Sequence, residues 1–213
     1  MRITNLVLTA ALICATSVSA QNPYGVPEFL PVACPGNFNG GTMAISGNGM
    51  VYLGDFSGSN APSTLHGVLR DGTLLGPINT SLPPYFSALA SRPDGSLLAF
   101  GTAVVSGSGL FLSIDALSQE GETTGSYFYG QSNFYVGGVA VSSTDDVYVG
   151  SQSSEIFKVG PTGLEPYASG VGNNTVMQLH PDESRIYIGS GSTISMTGPL
   201  QGVEVVHTFT PQA

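Results

Sequence analysis

Gly137 to Gly163 reads GGVAVSSTDDVYVGSQSSEIFKVGPTG, and the fold turns on this stretch. Val139, Val141, Val147, Val149, Ile156 and Val159 are apolar and β-branched, and small or polar residues lie between them. A period of two is the signature of half-buried strands. Ser143-Thr144-Asp145-Asp146 and Gly160-Pro161-Thr162-Gly163 are turn clusters. The stretch therefore reads as three short strands joined by tight turns.

The same phrase recurs. Its second strand has counterparts in GMVYLGDF (Gly49 to Phe56), GSLLAFGT (Gly95 to Thr102), DVYVGSQS (Asp146 to Ser153) and RIYIGSGS (Arg185 to Ser192). Tyr52, Leu98, Tyr148 and Tyr187 correspond and lie 46, 50 and 39 residues apart. Each copy follows a strand and a turn (TMAIS-GN, SALAS-RPD, GVAVS-STD, VMQLH-PDE) and precedes a third strand (STLHGVLR, GLFLSID, EIFKV, STISM). A fourth strand comes after a further turn: TLLGPI, TGSYFYG, GLEPYA and GVEVVHTF. Asn48-Gly49, Asp71-Gly72 and Asp94-Gly95 are hairpin dipeptides. No segment has a 3.6-residue period with caps, so almost no helix is expected. Four strands per unit of about 40–50 residues is the β-propeller signature, in which each blade buries its apolar faces against its neighbours.

The expected fold is therefore all-β, a propeller of about four four-stranded blades. The units run approximately over 41–84, 85–132, 133–172 and 173–213, after an N-terminal segment, 21–40, with one extra strand at Val26 to Ala33. Two closures suit this count. One is a compact ring whose edge is covered by Val26 to Ala33. The other is an open arc of a larger propeller, which would leave an apolar blade face exposed and favour oligomerisation.

Composition bounds the function. Of 213 residues only 9% are charged and 41% are apolar, which does not fit disorder. The formal charge is −9, and the basic residues Arg2, Arg70, Arg92, Lys158 and Arg185 are scattered. No basic stripe exists for nucleic acid or anionic lipid. Residues 1–20 have the build of a secretory signal peptide: Arg2, an apolar core from Leu6 to Ala15, and Val18-Ser19-Ala20 before Gln21. No stretch reaches the roughly 18 apolar residues of a membrane helix. The expected location is extracellular, or periplasmic in a Gram-negative host. Beyond the leader only Cys34 remains, which reads as a buried thiol, an intermolecular bridge, or one half of a pair whose other half lies outside this sequence. In a eukaryotic host, Asn79 and Asn173 begin glycosylation sequons.

Propeller ligands sit over the central channel, at the loops that lead into each innermost strand. Those loops hold Asn37-Phe38-Asn39, Pro84-Tyr85-Phe86, Asn133-Phe134-Tyr135 and Asn173-Asn174-Thr175. Asn37, Asn39, Tyr85, Phe86, Asn133, Phe134, Tyr135 and Asn174 are the candidate ligand-binding residues. Rings stack on sugar faces and amides both donate and accept, which suits an uncharged small molecule or a glycan; a protein is the other partner class. The same residue types also serve packing between blades and turn formation. His66, His180 and His207 fall on separate strands, and Ser108 and Ser190 lack the strand-turn-helix context of a nucleophile elbow.

The phrases AVSSTDDVYVGSQSSEIFKVGPTG and MQLHPDESRIYIGSG resemble the repeats of NHL-type and gluconolactonase-like (senescence marker protein-like) propellers, over about residues 41–209. The resemblance implies a lactone hydrolase with a divalent cation, such as calcium, held by a Glu at the first blade's lead-in, an Asn at a later one, and an Asp after a second strand. This sequence departs from that pattern. Gly40-Gly41-Thr42 supplies no Glu, Asn174 is one residue off position, and Ser190 stands where the Asp belongs. Asp55 does hold a post-strand position, so Asp55 and Asn174 are the candidate metal ligands. Two oxygen-bearing side chains fall short of a calcium site. The sequence thus favours a secreted, non-catalytic binding module with no cofactor. A degenerate or truncated metal-dependent lactonase is the alternative.

Overall fold

The computed structural model describes residues 18–20, 28–30, 42–55, 63–69, 71–82, 85–105, 109–129, 135–151, 154–172, 176–199 and 202–209. Two short strands, β1 (Val18–Ala20) and β2 (Glu28–Leu30), pair with each other in a separate two-stranded sheet. β2 lies inside the stretch expected as an extra strand, but it joins none of the larger sheets. Cleavage after Ala20 would remove its partner.

Sixteen further strands build four antiparallel sheets of four. Blade 1 is β3 (Thr42–Ile45), β4 (Val51–Asp55), β5 (Ser63–Val68) and β6 (Leu74–Leu82). Blade 2 is β7 (Phe86–Ser91), β8 (Leu97–Val105), β9 (Gly109–Leu117) and β10 (Thr123–Tyr129). Blade 3 is β11 (Val136–Val141), β12 (Val147–Ser151), β13 (Glu155–Gly160) and β14 (Gly163–Ser169). Blade 4 is β15 (Val176–Leu179), β16 (Ile186–Ser190), β17 (Thr193–Thr197) and β18 (Glu204–Thr208). No helix occurs among the described residues. The architecture is an all-β, propeller-type row of four blades.

Register explains why the blades must stack. Ala44 pairs with Tyr52, Ala90 with Leu98, Ala140 with Tyr148 and Gln178 with Tyr187. Successive strand residues point to opposite faces. Each blade therefore has a forward face, toward the next blade, and a backward face. Ala44, Tyr52 and Leu65 of blade 1 are buried with Leu89, Leu97, Ala99 and Leu117 of blade 2. Leu98, Phe100 and Ile114 of blade 2 are buried with Val136 and Val149 of blade 3. Ala140, Tyr148 and Ile156 of blade 3 are buried with Met177, Leu179, Ile186 and Ile188 of blade 4. The innermost strands touch in the order β3, β7, β11, β15, and among the described residues no contact of that extent returns from β15 to β3.

The hairpins after the innermost strands of blades 1 to 3 share one geometry. Ser46 N donates to Met50 O, Arg92 N to Ser96 O, and Ser142 N to Asp146 O. Each is a three-residue loop whose last residue is left-handed: Gly49 (φ 81°), Gly95 (φ 84°) and Asp145 (φ 69°). This is a type I turn closed by a bulge residue, not a two-residue hairpin. The fourth loop is one residue longer, with His180 N donating to Arg185 O and Glu183 left-handed (φ 59°).

Candidate functional site

The hairpin loops define one end of the molecule because they contact each other in sequence. Gly47 N donates to Gly95 O at 2.8 Å, joining the loops of blades 1 and 2. A Cβ built on Gly47 would lie 2.8 Å from Gly95 Cα, so only glycine allows this approach. Arg92 of the second loop makes a bidentate pair with the Asp145 carboxylate of the third, through Nε (2.9 Å) and Nη2. Ser143 of the third loop donates its backbone N–H and hydroxyl to the Glu183 carboxylate of the fourth, at 2.8 and 2.9 Å. The pairing with Asp145 raises the Arg92 pKa. The third loop also carries an Asp146–Lys158 ion pair at 2.9 Å.

Asp145 and Glu183 are thus ties between blades, not solvated turn acids. Pro93 sits where Gly47 and Ser143 present an N–H, and proline has none to give. Arg92, one residue earlier, takes over with its guanidinium. This substitution of donors is visible only once the loops are superposed on one end.

The starts of β7 and β11 therefore lie at the opposite end, and these two strands are neighbours. Tyr85 precedes β7 and Tyr135 precedes β11. Tyr135 is 48% exposed. Tyr85 is half-buried and held at φ 50°, and its carbonyl accepts from Thr102 N and Ser87 Oγ, both at 3.3 Å. A left-handed tyrosine is uncommon and strained, and such strain concentrates at functional positions. Phe86, expected on the same rim, instead points into the core between blades 1 and 2 because it is the first inward residue of its strand. Asn37, Asn39, Asn133, Phe134, Asn173, Asn174 and Cys34 lie outside the described residues, as does the Asp55 side chain.

Asn79 also has another role from that expected. It is 8% exposed, and its Nδ2 donates to Gly121 O (3.1 Å) and Thr123 Oγ1 (2.8 Å) of blade 2. The nitrogen a glycan would occupy is thus committed to the blade 1–2 junction. Tyr52 Oη and Asn48 Nδ2 both donate to Gln119 O in the same junction, at 2.7 and 2.9 Å.

The histidines do not converge on one another. His66 is buried on blade 1, with Nε2 3.1 Å from Thr64 Oγ1. His180 Nδ1 lies 2.7 Å from Asp182 Oδ1, and the His207 ring meets Phe209 edge-on at 4.6 Å. Among the described residues no group of three or more His, Cys, Asp or Glu side chains could hold a metal ion. The candidate ligands of the cation site that the family resemblance implies, Asn174 and the Asp55 side chain, lie outside that set.

No known family profile and no curated protein matches the chain. Its fold is similar to that of a catalytically inactive virginiamycin B lyase from Staphylococcus aureus solved with quinupristin (TM-score 0.60, 13% identity, 92% of this chain, 64% of that one). It is also similar to a gluconolactonase from Xanthomonas campestris (TM-score 0.59, 11% identity, 89% and 65%). A third similar structure is the PQQ-bound aldose sugar dehydrogenase from Streptomyces coelicolor (TM-score 0.56, 15% identity, 85% and 72%). The chain spans 53% of the length of a streptogramin B lyase that it also matches. At these identities the likeness is one of fold: a β-propeller of the kind that gluconolactonases and streptogramin B lyases share.

Proposed function

We propose that this chain is a secreted, non-catalytic β-propeller module that binds an uncharged ligand, such as a neutral glycan, on the rim opposite the hairpin ties. The observation that carries this reading is the pair Tyr85 and Tyr135, at the starts of two adjacent innermost strands. An exposed phenol and a half-buried one at the starts of adjacent strands offer aromatic faces with polar edges and no net charge. Titration against an array of neutral oligosaccharides tests it. Binding that is lost in Tyr135→Ala and weakened at least tenfold in Tyr85→Ala supports the proposal. Binding unchanged in both variants refutes it.

The alternative, a divalent-metal-dependent lactone hydrolase, draws support from the gluconolactonase among the similar folds. Asp55 and Asn174 remain its candidate ligands. Lactone turnover that disappears with chelator and in Asp55→Ala would put this reading first. Fold likeness alone is a weak warrant for activity, because one propeller frame hosts many chemistries.

A further inference from the structure

Among the described residues, the chain carries both halves of its own repeating blade contact, one unmatched at each end. On the forward faces, Tyr52, Leu98 and Tyr148 are all buried by the next blade. Tyr187 holds the same register position in blade 4 and is half-exposed. Leu65, Ile114 and Ile156 pair opposite Gly54, Phe100 and Gly150 and are also buried. Ile194, opposite Gly189, is their equivalent and is half-exposed, and Val176 beside it is 42% exposed.

The backward faces tell the complementary story. Leu179 and Ile186 of blade 4 pair with each other and are buried against blade 3. Ile45 and Val51 form the equivalent pair in blade 1, and Ile45 is 42% exposed. Leu53 and Val68 on that face are already buried, so the unmatched part is its inner strand, β3. The inner strands are also where the three existing interfaces meet.

We propose that the forward face of blade 4 takes the backward face of blade 1 of a second copy, head to tail. The occupant follows from continuity with the three interfaces already in the chain, which all join these same two faces. Gln178 stands exposed where blades 1 to 3 have Ala44, Ala90 and Ala140, so the contact is weaker than the internal ones and reversible. The net charge of −9 makes copies repel, so association strengthens as salt is raised. Contacts of this heterologous type grow into rings or open chains.

Sedimentation of the purified chain over a range of concentrations tests the proposal, with Val176→Glu and Ile45→Glu as variants. Both sites are exposed, and unchanged melting temperatures confirm that the variants fold. Wild type is expected to associate as concentration rises, and each variant alone to stay monomeric. An equimolar mixture of the two variants should form a dimer and nothing larger, because one copy keeps blade 1 intact and the other keeps blade 4. Wild type that is monomeric throughout overturns the proposal in favour of a chain closed or capped on itself. Association abolished by Val176→Glu but not by Ile45→Glu also overturns it, in favour of contact between two blade 4 faces or with an unrelated partner.

Discussion

Asp145 and Glu183 occupy left-handed turn positions that blades 1 and 2 fill with Gly49 and Gly95. A non-glycine residue there costs about 1–2 kcal/mol, less for Asp, whose side chain bonds locally. What offsets it is the carboxylate, which reaches back to the preceding blade. The Arg92–Asp145 pair is partly exposed, so it contributes about 0.2–1 kcal/mol. Asp145→Ala loses the pair and keeps a disfavoured φ, for an expected loss of about 1–2 kcal/mol in urea unfolding. Asp145→Gly loses the pair but relieves the backbone and should be close to neutral. Equal losses in the two variants would mean that the backbone term is negligible. The sequence showed the acids and the turn but not the partner, because Arg92 lies 53 residues away.

Two aspartates respond to pH with opposite signs. Burial in blade 2 raises the Asp115 pKa, and the hydrogen bond with Ser126 only partly counters it. The folded state then holds a proton that the unfolded state releases, so stability falls as pH rises above the ordinary aspartate value near 3.9. Asp115→Asn is expected to raise the melting temperature at neutral pH and to flatten this dependence. Asp182 is depressed to about 2 by Ser184 and His180. Its contribution is present above pH ~3.9 and is lost as pH falls toward about 2. Asp182→Asn should therefore remove a stability loss in acid, visible in melts taken between those limits.

At the scale of the element, the strands were legible because period-two patterning and Gly-containing turns agree with each other. Less legible was what each glycine does. Gly49 and Gly121 have nearly the same φ, 81° and 86°. A Cβ on Gly49 would meet nothing within 4 Å, whereas one on Gly121 would lie 2.9 Å from Tyr52 Cε1 and 3.0 Å from Leu65 Cδ2. Gly121 thus closes a hairpin in blade 2 and also makes room for the core of blade 1. Gly49→Ala should cost about 1–2 kcal/mol from backbone strain alone. Gly121→Ala adds overpacking of about 1–3 kcal/mol. Chemical denaturation of both variants, at matched slope, separates the two terms. The rim was the least legible element, since Phe86 and Tyr135 are indistinguishable as lead-in aromatics until burial assigns one to the core.

For the whole molecule, stability is a chain of neighbour terms, because among the described residues the extensive contacts join each blade to the blades beside it. Blades 2 and 3 are covered on both faces, while blade 4 has only its backward face packed against a described blade. Its outermost strand, β18, is exposed along its whole length. Opening free energies should follow this order. Amide exchange is expected to be slowest in β8, β9, β12 and β13 and fastest in β17 and β18. The ties at the hairpin end sharpen that gradient, since Arg92–Asp145 couples blade 2 to blade 3 and Ser143–Glu183 couples blade 3 to blade 4. Glu183→Gln weakens only the last tie, so it should speed exchange in β15 to β18 and leave β8 and β9 unchanged. Acceleration spread evenly over all four blades would instead mean that they open as one unit. A repeat that needs neighbours was readable in the sequence, but the uneven supply of neighbours is a property of the assembled row. It appears only when equivalent residues such as Tyr148 and Tyr187 are found buried in one blade and half-exposed in the next.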